Sequence, residues 1–135
     1  MTGALFSRSG FEAYVLGLPA VTLVEQWGSS VAKVGGPSGI RSEGRNEGKV
    51  FAMSALTDGH ISFKVTELAF EGLTSLAGIG QAAYSAKRQW VSVAADADLD
   101  EADLKAYLVE AHRIIAGKLT RKLRIELGID ALPRG

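Results

Sequence analysis

The fold is decided by residues 49–65, which read KVFAMSALTDGHISFKV. Residues 57–60 of this stretch contain Asp58-Gly59, and Asp-Gly is the favoured pair for a tight type I′ hairpin turn. In the second half, apolar residues at positions 61, 63 and 65 alternate with Ser62 and Lys64, so the two faces of the strand differ in polarity. This alternation predicts an antiparallel hairpin with one buried face and one solvent-exposed face.

Further elements are predicted upstream of the hairpin. Ser9-Gly10-Phe11-Glu12 has the spacing of a capping box that starts a helix. Leu18-Pro19 ends that helix, because the residue before a proline disfavours the helical region. Residues 21–34 are rich in β-branched residues and are broken at Gly28, which favours strands. Residues 36–48 are rich in glycine and charge and nearly free of large apolar groups, so we expect a mobile inserted loop there.

Downstream of the hairpin the pattern returns to helices. Thr66 is placed to cap a short helix, Gly78-Ile79-Gly80 is expected to be a loop, and residues 90–94 are expected to be a strand. A long helix opens at Asp100 and ends either near Gly117 or near Gly128. Because the order lacks βαβ alternation, it predicts an α+β fold: an antiparallel curved sheet of about five strands with helices packed on one face.

Composition limits the classes of function. The chain has 135 residues, of which 47% are hydrophobic, and we expect a single domain over residues 1–135. Fifteen basic and fifteen acidic residues give a formal net charge of zero, so nucleic-acid binding requires a local patch. Cysteine is absent, which excludes disulfides and fits the cytoplasm. No signal peptide or membrane-spanning run is recognised, and we expect no contact with a membrane.

Patterns that would indicate catalysis are weak. His60 and His112 have no spacing that pairs them on a metal, and no Gly-x-Ser-x-Gly nucleophile motif occurs. Gly78-Ile79-Gly80 lacks the third glycine of a dinucleotide fingerprint. We therefore expect a non-enzymatic protein without cofactor or metal. Five acidic residues crowd residues 96–103, where they suit the start of a helix; an iron-binding acidic ridge is the alternative.

Basic and aromatic residues interleave on the predicted sheet. Lys33, Lys64 and Lys87 are expected on its exposed face beside Trp90, with Arg88 and Tyr84 nearby. Such a face would contact phosphates and stack a base. The alternative is that the lysines only keep the face soluble and Trp90 closes the edge of the core.

A second basic cluster lies near the C-terminus. Its members fall within a dozen residues: Arg113, Lys118, Arg121, Lys122 and Arg124. Cations are stabilised at a helix C-terminus by the helix dipole, so the favoured interpretation is an ordinary helix with acid at its start and base at its end. As the alternative, we expect Arg121, Lys122 and Arg124 to contact phosphates.

Five stretches, in order, resemble the MmcQ/YjbR family of small bacterial proteins. They are Leu18-Pro19-Ala20-Val21; Trp27-Gly28 with Lys33-Val34-Gly35; residues 48–52 with residues 61–65; Gly78-Ile79, Ala82, Tyr84, Lys87 and Trp90-Val91; and Leu104, Leu108 and Lys118-Leu119. Ala20 stands where the family often has glycine, and Ser30, Gln81 and Thr120 stand where it often has proline. Ala111-His112 replaces a common Ser-Tyr pair.

The resemblance implies a frataxin-like (CyaY-like) fold and a double-wing DNA-binding role. Under that hypothesis DNA is the partner, the loop at 36–48 with Arg41 and Arg45 is an extended wing, and nine residues make the contacts: Lys33, Lys64, Tyr84, Lys87, Arg88, Trp90, Arg121, Lys122 and Arg124. The alternative is a module that binds a small molecule or a protein partner without touching nucleic acid. The sequence leaves the oligomeric state open.

Overall fold

The predicted hairpin lies at the centre of a six-stranded antiparallel sheet. The structure is a computed structural model that describes residues 3–26, 28–35, 48–56, 60–82 and 88–129. Its strands, which pair in the order β1-β2-β3-β4-β6-β5, are β1 (Val21–Gln26), β2 (Ser29–Val34), β3 (Lys49–Ala55), β4 (Ile61–Lys64), β5 (Ile79–Gln81) and β6 (Trp90–Val93). The predicted α+β class, with an antiparallel curved sheet, is confirmed.

Strand β5 corrects the prediction of a loop at Gly78-Ile79-Gly80. Ile79 is buried and pairs with Val93, while Gly80 pairs with Ser92. A strand of three residues with a central glycine has too few side chains to show alternation, so no periodic pattern predicts it. The sheet therefore has a sixth strand, and β5 is one of its two edge strands, opposite β1.

The described residues form four α-helices. After a short 3₁₀ turn (Gly3–Phe6), the helices are α1 (Arg8–Leu16), α2 (Glu67–Thr74), α3 (Glu101–Ala116) and α4 (Arg121–Leu127). Thr66 caps α2, as predicted, by accepting a hydrogen bond from the Ala69 amide at 3.1 Å. No described helix is long and apolar enough to cross a membrane.

The start of α1 corrects the predicted capping box at Ser9. Ser7 is the N-cap, and its hydroxyl accepts from the Gly10 amide at 3.1 Å. Glu12 does not reach back to the cap. Its carboxylate instead accepts hydrogen bonds from the Ser30 hydroxyl at 2.6 Å and from Arg8 Nε at 3.0 Å, and both hydrogen bonds lower the pKa of Glu12.

The C-terminal helical region divides into two helices. α3 ends at Ala116, and α4 begins after Thr120, whose hydroxyl accepts from the Leu123 amide at 3.1 Å. Gly128 then adopts a left-handed φ of 76°, which ends α4. Gly117 and Gly128, which were the two alternative ends of a single predicted helix, thus each end a separate helix.

The core lies between one face of the sheet and the helices. Phe51 of β3 and Phe63 of β4 are fully buried and meet α3. The Phe51 ring contacts His112 edge-on at a centroid separation of 5.3 Å, and Phe63 stacks on Tyr107 at 6.1 Å. These ring contacts fix the position of α3 over the centre of the sheet.

Ala20 carries backbone strain at the entry to β1. Its φ is 59°, a left-handed conformation that costs an L-residue about 1–2 kcal/mol. Ala20→Gly removes this strain but adds chain entropy to the unfolded state, so we expect the free energy of unfolding to rise by up to about 1 kcal/mol. Urea denaturation of the two proteins measures the difference. A lower free energy of unfolding for the variant would contradict the assignment of strain.

Several predicted features lie outside the described residues. They are the inserted loop at 36–48 apart from Gly48, with Arg41 and Arg45, the turn residues 57–59, and Trp27.

Candidate nucleic-acid interface

The antiparallel register gathers basic side chains at one end of the sheet. Lys33 lies beside Val50 near the end of β2, and Lys49 opens β3 opposite Val34. Lys64 ends β4 opposite Trp90, which opens β6. We call this end of the sheet the lysine end. It comprises Lys33, Lys49, Lys64 and Trp90, together with Lys118 and Lys122.

Lys118 and Lys122 join this group through α3 and α4. Lys118 follows the end of α3 and is close enough to Lys64 to lower the pKa of Lys64 by repulsion, a smaller cause than the burial of Lys64 itself. α4 lies beside the same end of the sheet, because a Cβ at Gly35 would stand 3.2 Å from Leu127. Lys122 lies in the first turn of α4, four positions after Lys118.

Four of these lysines lie beyond ion-pair distance of every described carboxylate. Among the described residues, Lys33, Lys49, Lys118 and Lys122 form no ion pair. By contrast, Arg8 pairs with Glu12 and Glu25, and Lys105 pairs with Glu101. The lysine end therefore carries positive charge that no ion pair among the described residues neutralises directly, although Glu126 lies one turn after Lys122 on α4.

Acidic residues collect at the opposite end of the sheet. Asp96, Asp98 and Asp100 follow the end of β6, and Glu101 and Asp103 lie in the first turn of α3. α3 then runs back toward Lys118, so its dipole suits acid at its start and base at its end. These five described acids therefore lie at the end of the sheet opposite Lys64 and Lys118.

Lys64 corrects the prediction of a solvent-exposed lysine. It is 8% exposed, and its ammonium donates to the side-chain oxygen of Gln89. Trp90 is partly exposed and is its cross-strand neighbour. Lys64 and Trp90 are therefore neighbours across the strands, and Trp90 is the more accessible of the two.

The predicted arginines have different surroundings. Arg88 pairs with Glu71 and lies 5.5 Å from the centre of the Phe70 ring. Arg124 is 6% exposed, and its guanidinium donates to the Leu119 carbonyl, so it holds the turn between α3 and α4 rather than facing solvent. Arg121 is exposed in the first turn of α4.

Two predicted site residues, Tyr84 and Lys87, lie outside the described residues. Conversely, the structure adds Lys49, which sequence reasoning did not include. Lys49 could have been predicted, because pairing the first strand of the hairpin with the strand before it places Lys49 beside Val34. The one-residue shift in register between Ala32 and Lys33 is what the sequence did not show.

The histidines and acids do not form a metal centre in the described parts of the chain, where no group of three or more potential ligands is found. His112 has a structural position. It is 2% exposed, and its Nε2 lies 2.7 Å from the Pro19 carbonyl, which requires Nε2–H to donate. His112 thereby ties α3 to the segment before β1.

We expect His112 to make stability depend on pH. Burial lowers its pKa below the usual 6.5, so the unfolded chain binds the proton more readily than the folded chain. The contribution of His112 to the free energy of unfolding is therefore fully present above pH 6.5. It falls as the pH drops below 6.5, by at most about 1.4 kcal/mol per pH unit. Urea denaturation between pH 5.5 and 7.5 measures this slope. In His112→Gln, which donates but does not titrate, the slope should flatten; an unchanged slope would exclude His112 as its source.

Comparison with known proteins agrees with the architecture. The family model described as YjbR matches residues 16–114. The chain belongs to the YjbR family. The matched range runs from the end of α1 to the last turns of α3 and includes every strand of the sheet, so the YjbR match confirms the resemblance found in the sequence.

Solved structures share the fold of this YjbR protein. A crystal structure of a Deinococcus radiodurans protein with a DUF419 domain has a TM-score of 0.80 and 22% identity, over 100% of this chain and 98% of that one. A Pseudomonas syringae protein has a TM-score of 0.59 and 16% identity, over 81% of this chain and 98% of that one. At these identities the likeness concerns the fold alone. A search of curated proteins finds no match.

Proposed function

We propose that the chain is a non-enzymatic cytoplasmic protein that binds nucleic acid at the lysine end of its sheet. The observation that carries this proposal is the grouping of Lys33, Lys49, Lys118 and Lys122 without a carboxylate partner among the described residues. Lysines held near one another repel, and a phosphate backbone relieves that repulsion by supplying negative charge.

The indole of Trp90 supports a nucleic-acid ligand over a simple anion. It is partly exposed at the start of β6, beside Lys64. A base that stacks on an aromatic ring gains about 1–3 kcal/mol, and phosphates on neighbouring lysines position the strand for such stacking. Single-stranded nucleic acid, whose bases are free to stack, is the form that this combination favours.

The described residues that flank two further segments lie beside the lysine end. Gly35 and Gly48 flank the segment with Arg41 and Arg45, and the position of a Cβ on Gly35 is 3.6 Å from the Gly48 Cα. Ala82 and Arg88 flank the segment with Tyr84 and Lys87, and the Ala82 amide donates to the Trp90 carbonyl at 3.2 Å. The described ends of both segments therefore lie at the lysine end, and this supports the double-wing hypothesis, in which the segments are the wings.

Titration with labelled duplex and single-stranded DNA at about 50 and 200 mM salt tests the proposal. Four phosphate contacts predict a slope of log affinity against log salt near about −3.6 on duplex, with a lower slope per contact on single strands. We expect the single strand to bind more tightly than the duplex and to quench the fluorescence of Trp90. Absence of binding at the lower salt concentration, or an affinity that does not change with salt, would overturn the proposal.

A further inference from the structure

A second concave surface lies away from the lysine end, between α2 and α3. It is a half-open groove of about 630 Å³ whose floor is apolar. α2 contributes one wall, and the loop before α3 together with two turns of α3 contributes the other. The lining side chains that form the floor are Leu73, Leu76, Leu99, Ala106 and Tyr107. This volume lies within the usual range of small-molecule sites, about 300–1,000 Å³.

Gly72 keeps one wall of the groove open. It lies inside α2, where glycine is the least favourable residue after proline. No backbone requirement explains it, because Gly72 is helical and a Cβ built on it would meet nothing within 4 Å. Leu68, one turn earlier on the same face, is 85% exposed and extends the apolar surface. The missing side chain at Gly72 leaves the backbone of α2 open to close approach by a ligand.

The polar groups of the groove are acidic. Asp103 and Glu110 lie two turns apart on α3 and both line the groove. Glu110 is paired with Arg113 at 2.7 Å, whereas Asp103 forms no ion pair with another described residue. The Tyr107 ring is fixed on Phe63, and its hydroxyl makes no hydrogen bond within the described structure.

We propose that this groove binds a small organic cation, an ammonium group on an apolar alkyl or aryl body. The body lies on the leucines and against Gly72, the ammonium lies at the Asp103 carboxylate, and the Tyr107 hydroxyl supplies a further polar contact. Charge complementarity selects the cation over an anion of the same shape. The site is independent of nucleic-acid binding, since it lies at the acidic half of α3 rather than beside Lys118.

The probes are 4-phenylbutylammonium and its anionic counterpart 4-phenylbutyrate, titrated separately into the ¹⁵N-labelled full chain. We expect the ammonium compound to shift the amide signals of Leu73, Leu76 and Ala106 and to bind at least about fivefold more tightly than the carboxylate. Shifts spread over the whole surface, equal affinity for the two compounds, or no shift in the groove would each overturn the proposal.

Two variants locate the site. Gly72→Leu fills the groove with a side chain that α2 favours, so the ammonium compound should lose about tenfold or more in affinity while the other amide signals stay in place. Gly72→Ala is the matched control, with a smaller loss. Asp103→Asn should reduce the preference for the ammonium compound to near unity. Unchanged affinity of Gly72→Leu for the ammonium compound would overturn the proposal. We expect the DNA affinity of this variant to be normal, so a failure at the groove can be distinguished from a failure at the lysine end.

Discussion

Substitution of Gly78 by alanine should lower the free energy of unfolding by about 3 kcal/mol or more, from two additive causes. Gly78 has a φ of 86°, where an L-residue is strained, and a Cβ at this position would lie 2.6 Å from the Ala97 Cα and 2.9 Å from its Cβ. The atoms in the way belong to backbone and to a methyl group, so neither can rotate aside. The chain itself would have to move.

That movement would disturb the junction between two halves of the fold. The Gly78 carbonyl accepts from the Ala94 amide, and the Ala77 carbonyl accepts from the Asp98 amide, each at 2.9 Å. These bonds hold the entry to β5 against the segment that leads from β6 to α3. Because α3 packs over the centre of the sheet, a shift of this segment propagates into the core.

Thermal and urea denaturation of Gly78→Ala measure the loss. Gly28→Ala is the matched control, because Gly28 also has a positive φ, 72°, but a Cβ there meets nothing within 4 Å. We expect the control to lose about 1–2 kcal/mol, the conformational cost alone. If both variants lost the same free energy of unfolding, close packing against Ala97 would not contribute to the effect of Gly78→Ala.

Much of the fold could be read from the sequence because its signals are local. The alternation around Phe63 and the cap at Thr66 depend on neighbours within a few residues, and both are present in the structure. The cap at Ser7 was missed because Ser9 and Glu12 fit the same local rule, and a distant partner, Ser30, takes the Glu12 carboxylate instead.

The site was harder to predict because exposure is a property of the whole fold. Lys64 alternates correctly with Phe63, yet it is buried and bonded to Gln89. Arg124 lies in a run of basic residues, yet it caps the turn at Leu119. Only the register of the strands and the path of α3 bring Lys33, Lys49 and Lys118 to one end.

Removal of charge at the lysine end should abolish most nucleic-acid affinity. We expect the combined replacement of Lys33, Lys49, Lys118 and Lys122 by glutamine to weaken DNA binding about 100-fold or more at low salt and to remove most of the salt dependence. Stability should be nearly unchanged, because these lysines form no ion pair with the described residues. Lys118→Gln also removes repulsion from Lys64.

A pair of double variants separates this local effect from a change in net charge. Lys33→Gln with Lys118→Gln should reduce the salt slope on duplex by about 1.8, since each lost phosphate contact removes about 0.9. Lys105→Gln with Arg113→Gln removes the same charge from residues that pair with Glu101 and Glu110, and it should leave DNA affinity nearly unchanged. A phosphate backbone bound at the lysine end should distinguish the lysines there from cations already paired with carboxylates on α3. Equal losses of DNA affinity in the two double variants would therefore mean that binding depends on net charge alone.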